Sequence, residues 1–155
     1  MKKIKLLVMD VDGTLTDGHI YICARGEAMK AFHVQDGYAI AHTLPAVGIA
    51  PVIITGRSSE IVQQRAGELK ITELYQGVQD KLSQLKLVAE KHNVLSAEIA
   101  YIGDDLNDLD CIRYCGLSAC PADAVPTVID EVDYVCNRDG GRGAVREFID
   151  YLISL

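Results

Sequence analysis

Ile4-Lys5-Leu6-Leu7-Val8-Met9 is an almost unbroken apolar run that stops at Asp10. A run with so little polar alternation is the pattern of a strand covered on both faces, as in a parallel sheet. Ala50–Ile54, Glu73–Tyr75 and Ile99–Ile102 have the same character, and Gly116–Ala119 and Asp133–Val135 are shorter versions of it. Between these runs apolar residues recur at helical spacing. Ser58 or Ser59 can cap a helix carrying Ile61, Val62, Arg65, Ala66 and Leu69, and Asp80 can cap another with Leu82, Leu85, Val88 and Ala89 on one face. Asp36-Gly37 opens a helical stretch towards Val47, and Ala144 to Ile153 turns Val145, Phe148, Ile149 and Leu152 inward. Strands alternating with helices predict an α/β domain whose mainly parallel sheet is covered by helices on both faces.

One segment breaks the alternation. Between Gly18 and Val34 lie two β-like runs, His19–Ile22 and Ala28–Val34, around the turn-forming Ala24-Arg25-Gly26-Glu27. They predict a hairpin flap, over about 17–34, that projects from the sheet after the first strand. The Gly-rich stretch near 140 opens a C-terminal tail over about 138–155, mobile in its Gly-rich part before the helix from Ala144.

The chain's 155 residues are one domain's worth, 1–155, with no linker or repeat to divide them. A net charge of −7 argues against a nucleic-acid partner, since phosphate backbones are bound by clustered Lys and Arg. The apolar runs are too short for a membrane helix, and the start is too short for a signal-peptide core, so a cytoplasmic protein is expected. Five cysteines without a CxxC read as reduced thiols, and Cys111 and Cys115 as small buried groups rather than metal ligands.

In a doubly wound sheet, ligands bind beyond the carboxyl ends of the strands, so the residues that follow the apolar runs carry the candidate chemistry. The first run is followed by Asp10-Val11-Asp12-Gly13-Thr14, two carboxylates one residue apart with a glycine that lets backbone approach a ligand. The second is followed by Thr55-Gly56-Arg57, a hydroxyl and N–H groups before a helix N-terminus, which suit phosphate. Lys81 opens the next helix, where an ammonium can offset the charge of phosphate and carboxylate together. The strand Ile99–Ile102 is followed by Gly103-Asp104-Asp105-Leu106-Asn107-Asp108, hard oxygen donors that suit Mg²⁺. Each element alone can be a turn, a loop or a solvated helix start; in this order, each at a strand end or a helix start, they point to phosphoryl transfer.

The ordered set resembles the four motifs of the haloacid dehalogenase-like phosphatase superfamily, over essentially the whole chain. The resemblance implies a Rossmann-like fold and a Mg²⁺-dependent phosphatase with Asp10 as nucleophile and metal ligand. Asp12 would be the general acid/base, its carbonyl on the metal; Thr55 and Lys81 would bind the transferring phosphoryl group beside Thr14 and Gly56. Asp104 would ligate the metal, with Asp105 and Asp108 orienting that shell. A signalling receiver domain uses similar groups, but there the Thr and Lys come late, whereas here Thr55 and Lys81 precede Asp104. A regulatory module of the same fold would be free to lose Asp10, Asp12, Lys81 or Asp104, and none is missing.

About 40 residues separate Asp12 from Thr55 and about 20 separate Lys81 from Asp104, which leaves no room for a cap domain. The flap, the segment Ala31–Tyr38, Tyr75-Gln76-Gly77 and the tail Gly140–Glu147 resemble the capless branch of the superfamily. That implies a homotetramer in which neighbouring subunits complete each site, and a small phosphorylated sugar acid as substrate. Arg57 and the tail resemble the type that cleaves 3-deoxy-D-manno-octulosonate 8-phosphate for lipopolysaccharide synthesis; the alternative is a nine-carbon keto-sugar acid 9-phosphate. A sugar acid adds a carboxylate to the phosphate, so arginines are needed at the far end of the site. Arg57, Arg65 from a neighbour and Arg142 are the candidates, with Phe32 and His33 lining the sugar pocket. Arg65 can instead pair with Glu68.

Overall fold

The computed structural model describes residues 3–155. In chain order its elements are β1 (Leu6–Met9), β2 (Tyr21–Cys23), β3 (Gly26–Met29), α1 (Val34–Tyr38), α2 (Leu44–Ala46), β4 (Ala50–Ile54), α3 (Glu60–Glu68), β5 (Glu73–Tyr75) and α4 (Lys81–His92). They continue as β6 (Ile99–Ile102), α5 (Leu109–Tyr114), β7 (Leu117–Cys120), α6 (Pro126–Ile129), β8 (Tyr134–Val135) and α7 (Ala144–Ser154). Six strands form one sheet in the order β5-β4-β1-β6-β7-β8, every neighbouring pair parallel. The strands expected from the apolar runs are all present.

The alternation of side chains along each strand divides the interior in two. Leu7 and Met9 of β1, Ile53 of β4 and Ile102 of β6 face a core built with Ile40, Leu44, Val62, Ala66, Phe148 and Ile149, from the α1–α2 segment, α3 and α7. Leu6, Val8, Val52, Ile54, Ile99 and Tyr101 face the other core, with Leu85, Val88 and Ala89 of α4 and Cys111 and Ile112 of α5. β1 and β6 are buried throughout, which is why both read as unbroken apolar runs.

Two helices start as their sequences suggest. The Ser59 hydroxyl accepts from Val62 N at 3.4 Å, and the Asp80 carboxylate accepts from Ser83 N at 2.9 Å. The helix expected from Asp36 differs. It begins at Val34, and a five-residue π-helical stretch, Ala39–Thr43, joins α1 to α2. Asp36 caps a different helix: its buried carboxylate accepts from Arg146 N at 2.8 Å, in the first turn of α7. Asp36 belongs to the first turn of one helix and answers the unpaired N–H groups of another, 110 residues away.

The flap is a tighter hairpin than the sequence suggests. Only Ala24 and Arg25 separate β2 from β3, and the second run leaves the ladder at Met29, since Val34 belongs to α1. A bridge between Thr16 and Phe32 closes its base. The segment 138–155 divides at Ala144: 138–143 is loop, and α7 is a core helix with Phe148 and Ile149 fully buried, as its apolar spacing suggests. Among the described residues nothing larger than the flap is inserted between β1 and β4, and no helix is long and apolar enough to cross a membrane.

Glu147 fastens the start of α7. Its carboxylate accepts from Asn137 N and Nδ2, both at 2.8 Å, from Arg138 N at 3.1 Å and from the Tyr134 hydroxyl at 3.0 Å. Burial pushes this carboxyl up, but the hydrogen bonds outweigh it and hold it below the usual range. A depressed folded value contributes stability that is present above the unfolded pKa of about 4.3 and is lost as pH falls through the folded value. Urea unfolding between pH 3 and 7 checks this: Glu147→Gln should lower stability at pH 7 and flatten the loss on the acid side.

Candidate active site

β1 lies between β4 and β6, so the residues that follow these three strands meet at one edge of the sheet. Asp10 N donates to Ile102 O at 3.1 Å, and Thr55 N donates to Tyr75 O at 2.9 Å, so both residues remain registered to neighbouring strands. Asp10, Thr14 and Thr55 are buried. Asp10, Asp104 and Asp108 each bring a carboxylate oxygen within 4.8 Å of the other two.

Lys81 holds this group together. Its ammonium, on a side chain 1% exposed, donates to Asp10 Oδ1 at 2.8 Å and to Asp108 Oδ1 at 2.7 Å. Asp108 accepts further from the Tyr101 hydroxyl at 2.6 Å, from Asp104 N at 3.0 Å and from Asp105 N at 3.2 Å. With four donors Asp108 is saturated: it aims Lys81 and shapes the loop. Tyr101, buried in the core on β6, thus donates its hydroxyl to that anion. Asp104 has a single side-chain hydrogen bond to a hydroxyl, from Thr14 at 2.9 Å.

Three carboxylates therefore gather around one another while one ammonium touches two of them, Asp10 and Asp108. Burial and the charge of Asp108 push Asp10 up to about 6 despite Lys81, and burial and the charge of Asp10 push Asp104 up to about 8. Lys81 is held above its usual value, because its two carboxylates outweigh its burial. A site with this excess of hard, poorly solvated oxygen donors fits a divalent cation such as Mg²⁺. Gly13, at φ +94°, lies so close to the Asp104 carboxylate that a Cβ there would overlap it, so the glycine permits the approach of the two loops.

The other residues singled out from the sequence lie partly beside this cluster and partly apart from it. Asp12 and Arg57 come together: Arg57 Nε lies 3.9 Å from Asp12 Oδ2, on a half-exposed side chain. Gly56 lies opposite the Asn107 side chain. Asp105 is exposed and accepts from Leu106 N at 2.7 Å, so only its backbone reaches the cluster. Phe32, His33 and Arg65 line a small enclosed space beneath the Asp10 loop with Val11, Leu15 and Asp36, apart from the carboxylates. There the Arg65 guanidinium stands 5.6 Å over the Phe32 ring and pairs with Glu68 at 3.1 Å. Arg142 is exposed near Tyr21 of the flap, on a loop whose Gly141 N donates to Thr14 O at 3.1 Å.

The sequence reading passed over two charged groups of the flap. Lys30, its side chain 1% exposed, donates to Asp12 Oδ1 and lies 3.1 Å from Glu27 Oε2. Glu27 in turn accepts from the Ser59 hydroxyl and lies 3.5 Å from Arg57. The signal for Lys30 was a lone cation inside the run Ala28–Val34, where a strand covered by its neighbours has no use for charge unless it is paired.

Residues 69–149 match the model of the haloacid dehalogenase-like hydrolase family. The chain is 46% identical, over 98% of its length and 80% of the relative's, to the 3-deoxy-D-manno-octulosonate 8-phosphate phosphatase of Escherichia coli K12. The Yersinia pestis enzyme of the same name is 44% identical over 97% of this chain and 80% of its own. Among solved structures, the Moraxella catarrhalis phosphatase in complex with magnesium, phosphate and KDO superposes with a TM-score of 0.93 at 42% identity, covering 97% of this chain and 86% of that one. The cobalt-bound Haemophilus influenzae enzyme gives 0.94 at 38%, covering 98% and 88%. On this identity and coverage, the chain belongs to the haloacid dehalogenase-like hydrolases.

Proposed function

We propose that this protein is a Mg²⁺-dependent phosphatase that releases phosphate from 3-deoxy-D-manno-octulosonate 8-phosphate through a phosphorylated Asp10. The observation that carries the chemistry is the buried cluster of Asp10, Asp104 and Asp108 around the single ammonium of Lys81. The substrate is supported by relatives of that name at 46% identity over 98% of the chain, and by the Arg57 and tail pattern.

Lys81 engages Oδ1 of Asp10, which leaves Oδ2 to attack phosphorus in line. As the Oδ2–P bond forms, the P–O bond to the sugar breaks, and Asp12 gives the leaving oxygen a proton. Asp12 then takes a proton from the water that attacks the aspartyl phosphate, and phosphate leaves with Asp10 restored. Thr55, Thr14, Gly56 and Lys81 surround the transferring group with donors, and Arg57, beside Asp12, faces the departing sugar acid. Asp10, Asp104 and the carbonyl of Asp12 would hold Mg²⁺, which when bound offsets the charge that builds on the phosphoryl oxygens.

The open edge of the sheet supports an assembly in which neighbours cover each site, a homotetramer on the family pattern, with Arg65 of a neighbouring subunit, Phe32, His33 and Arg142 meeting the sugar acid. The whole of 1–155 is then one catalytic domain.

Asp10→Asn should lower turnover by about 10³-fold or more while circular dichroism stays unchanged, since the amide keeps the shape and loses the nucleophile. A chelator should abolish phosphate release, and Mg²⁺ should restore it without refolding, because the metal answers charge at the site and not in the core. Phosphate release measured side by side should favour octulosonate 8-phosphate over a nine-carbon acid 9-phosphate by at least about tenfold in kcat/KM, the equivalent of about 1.4 kcal/mol. A ratio near one or below would overturn the choice of sugar while leaving the phosphatase intact.

A further inference from the structure

Each of the two carboxylates of the Asp10-Val11-Asp12 loop has one oxygen held by a buried lysine. For Asp10 it is Lys81, which belongs to the motif set; for Asp12 it is Lys30, carried by the flap. A lysine side chain 1% exposed has lost its hydration, and among the described residues that loss is offset by Asp12 and Glu27. Its two partners have different attachments. Glu27 is tied to the body of the domain at the Ser59 hydroxyl, at the N-cap of α3, and stands near Arg57, whereas Asp12 belongs to the reacting loop.

We propose that Lys30 is a positioning residue for proton transfer to the leaving group: it holds Oδ1 of Asp12 so that Oδ2, on the Arg57 side, faces the departing oxygen. The inference rests on the reading of Asp12 as general acid/base given above. The geometry favours it over a purely structural clasp. Arg57 Nε stands 3.9 Å from Oδ2, close enough to steer an incoming anion and too far for a hydrogen bond, so that oxygen remains available. Oδ1 is engaged by a donor whose own position is set from the far side by Glu27, and Glu27 is set by Ser59. The chain Ser59–Glu27–Lys30–Asp12 runs from a helix cap to the acid through the flap, so the flap's placement decides the rotamer of Asp12. When Asp12 has given its proton away, the new negative charge meets an ammonium already in contact, with no side chain to rearrange.

The flap has few other attachments. Ile22 and Met29 are 72% and 53% exposed, and a two-stranded hairpin is marginal by itself in water. A clasp that served only to hold it would be equally well met by apolar contact, which carries no desolvation cost.

The test is the dependence on leaving group. Phosphoenzyme formation is measured by rapid quench, with Mg²⁺ present, on octulosonate 8-phosphate and on a series of aryl phosphates ending in 4-nitrophenyl phosphate, whose phenoxide departs with little help from an acid. Lys30→Met should slow the sugar ester by about 10–100-fold and 4-nitrophenyl phosphate by less than about threefold, with Lys30→Arg recovering part of the loss. KM for the sugar ester should change less than kcat. Equal losses on all esters, with a matching fall in melting temperature, would reduce Lys30 to a structural clasp and overturn the proposal, as would no loss on either. If Lys30→Met does not fold, Lys30→Gln enters the same comparison. Wild-type protein that cleaves the aryl esters but not the sugar phosphate would sink the substrate reading alone, with the aryl series still reporting on Lys30.

Discussion

Everything at this site depends on the ammonium of Lys81 standing between two buried carboxylates. Remove that charge and Asp10 and Asp108 would be left facing Asp104 without a protein cation, an arrangement no buried pocket sustains at neutral pH. The position of Lys81 is a consequence of helix geometry. Asp80 caps α4 by accepting from Ser83 N, which makes Lys81 the first residue of the helix. Asp108, fully buried and held by a hydroxyl and two backbone N–H groups, then fixes the direction in which the ammonium points.

The division of labour between the two aspartates of the first loop follows from surroundings, since their chemistry is the same. Asp10 is buried against other acids, so it is the one that a phosphoryl group and a cation together can relieve. Asp12 stands further out, between Lys30 and Arg57, where a proton can pass between it and a leaving group. Two identical side chains with one residue between them thus acquire separate tasks because the strand ends at Met9 and the chain turns through Asp12, so the second carboxylate leaves the buried row that holds the first.

The parts legible in the sequence were those with a local or periodic signature. The buried strands β1 and β6 declared themselves as unbroken apolar runs, and Asp10, Thr55 and Asp104 were found because they follow such runs. Ser59 and Asp80 were legible as caps because a cap and its helix are contiguous. Contacts made across the chain left no such trace. Asp36 looked like the start of its own helix and serves α7; Lys30 lay in a run that looked like strand; Tyr101 was an aromatic in a core strand whose hydroxyl turns out to be spoken for. In each, the partner lies in space and not at a spacing, and one side chain carries two plausible roles until the fold chooses. The same holds for Arg65, whose ion pair with Glu68 and place over the Phe32 ring no spacing along the helix could separate from a role towards a ligand.

The loop before α7 has a consequence for the order in which the protein comes into being. Gly141 N donates to Thr14 O, Gly140 lies so close to Gly13 that a Cβ there would overlap its backbone, and Asp36 waits for the N–H of Arg146. The loop that carries the nucleophile is therefore braced by residues from the far side of the sequence, made well after it. During synthesis β1, β4 and β6 can pair first, but the floor beneath Gly13 and Thr14 is finished only once the loop before α7 has emerged and docked. A nascent chain without that segment would have its acids and its lysines near one another and still lack a finished reaction loop, so competence for chemistry becomes a report that the segment before α7 has docked.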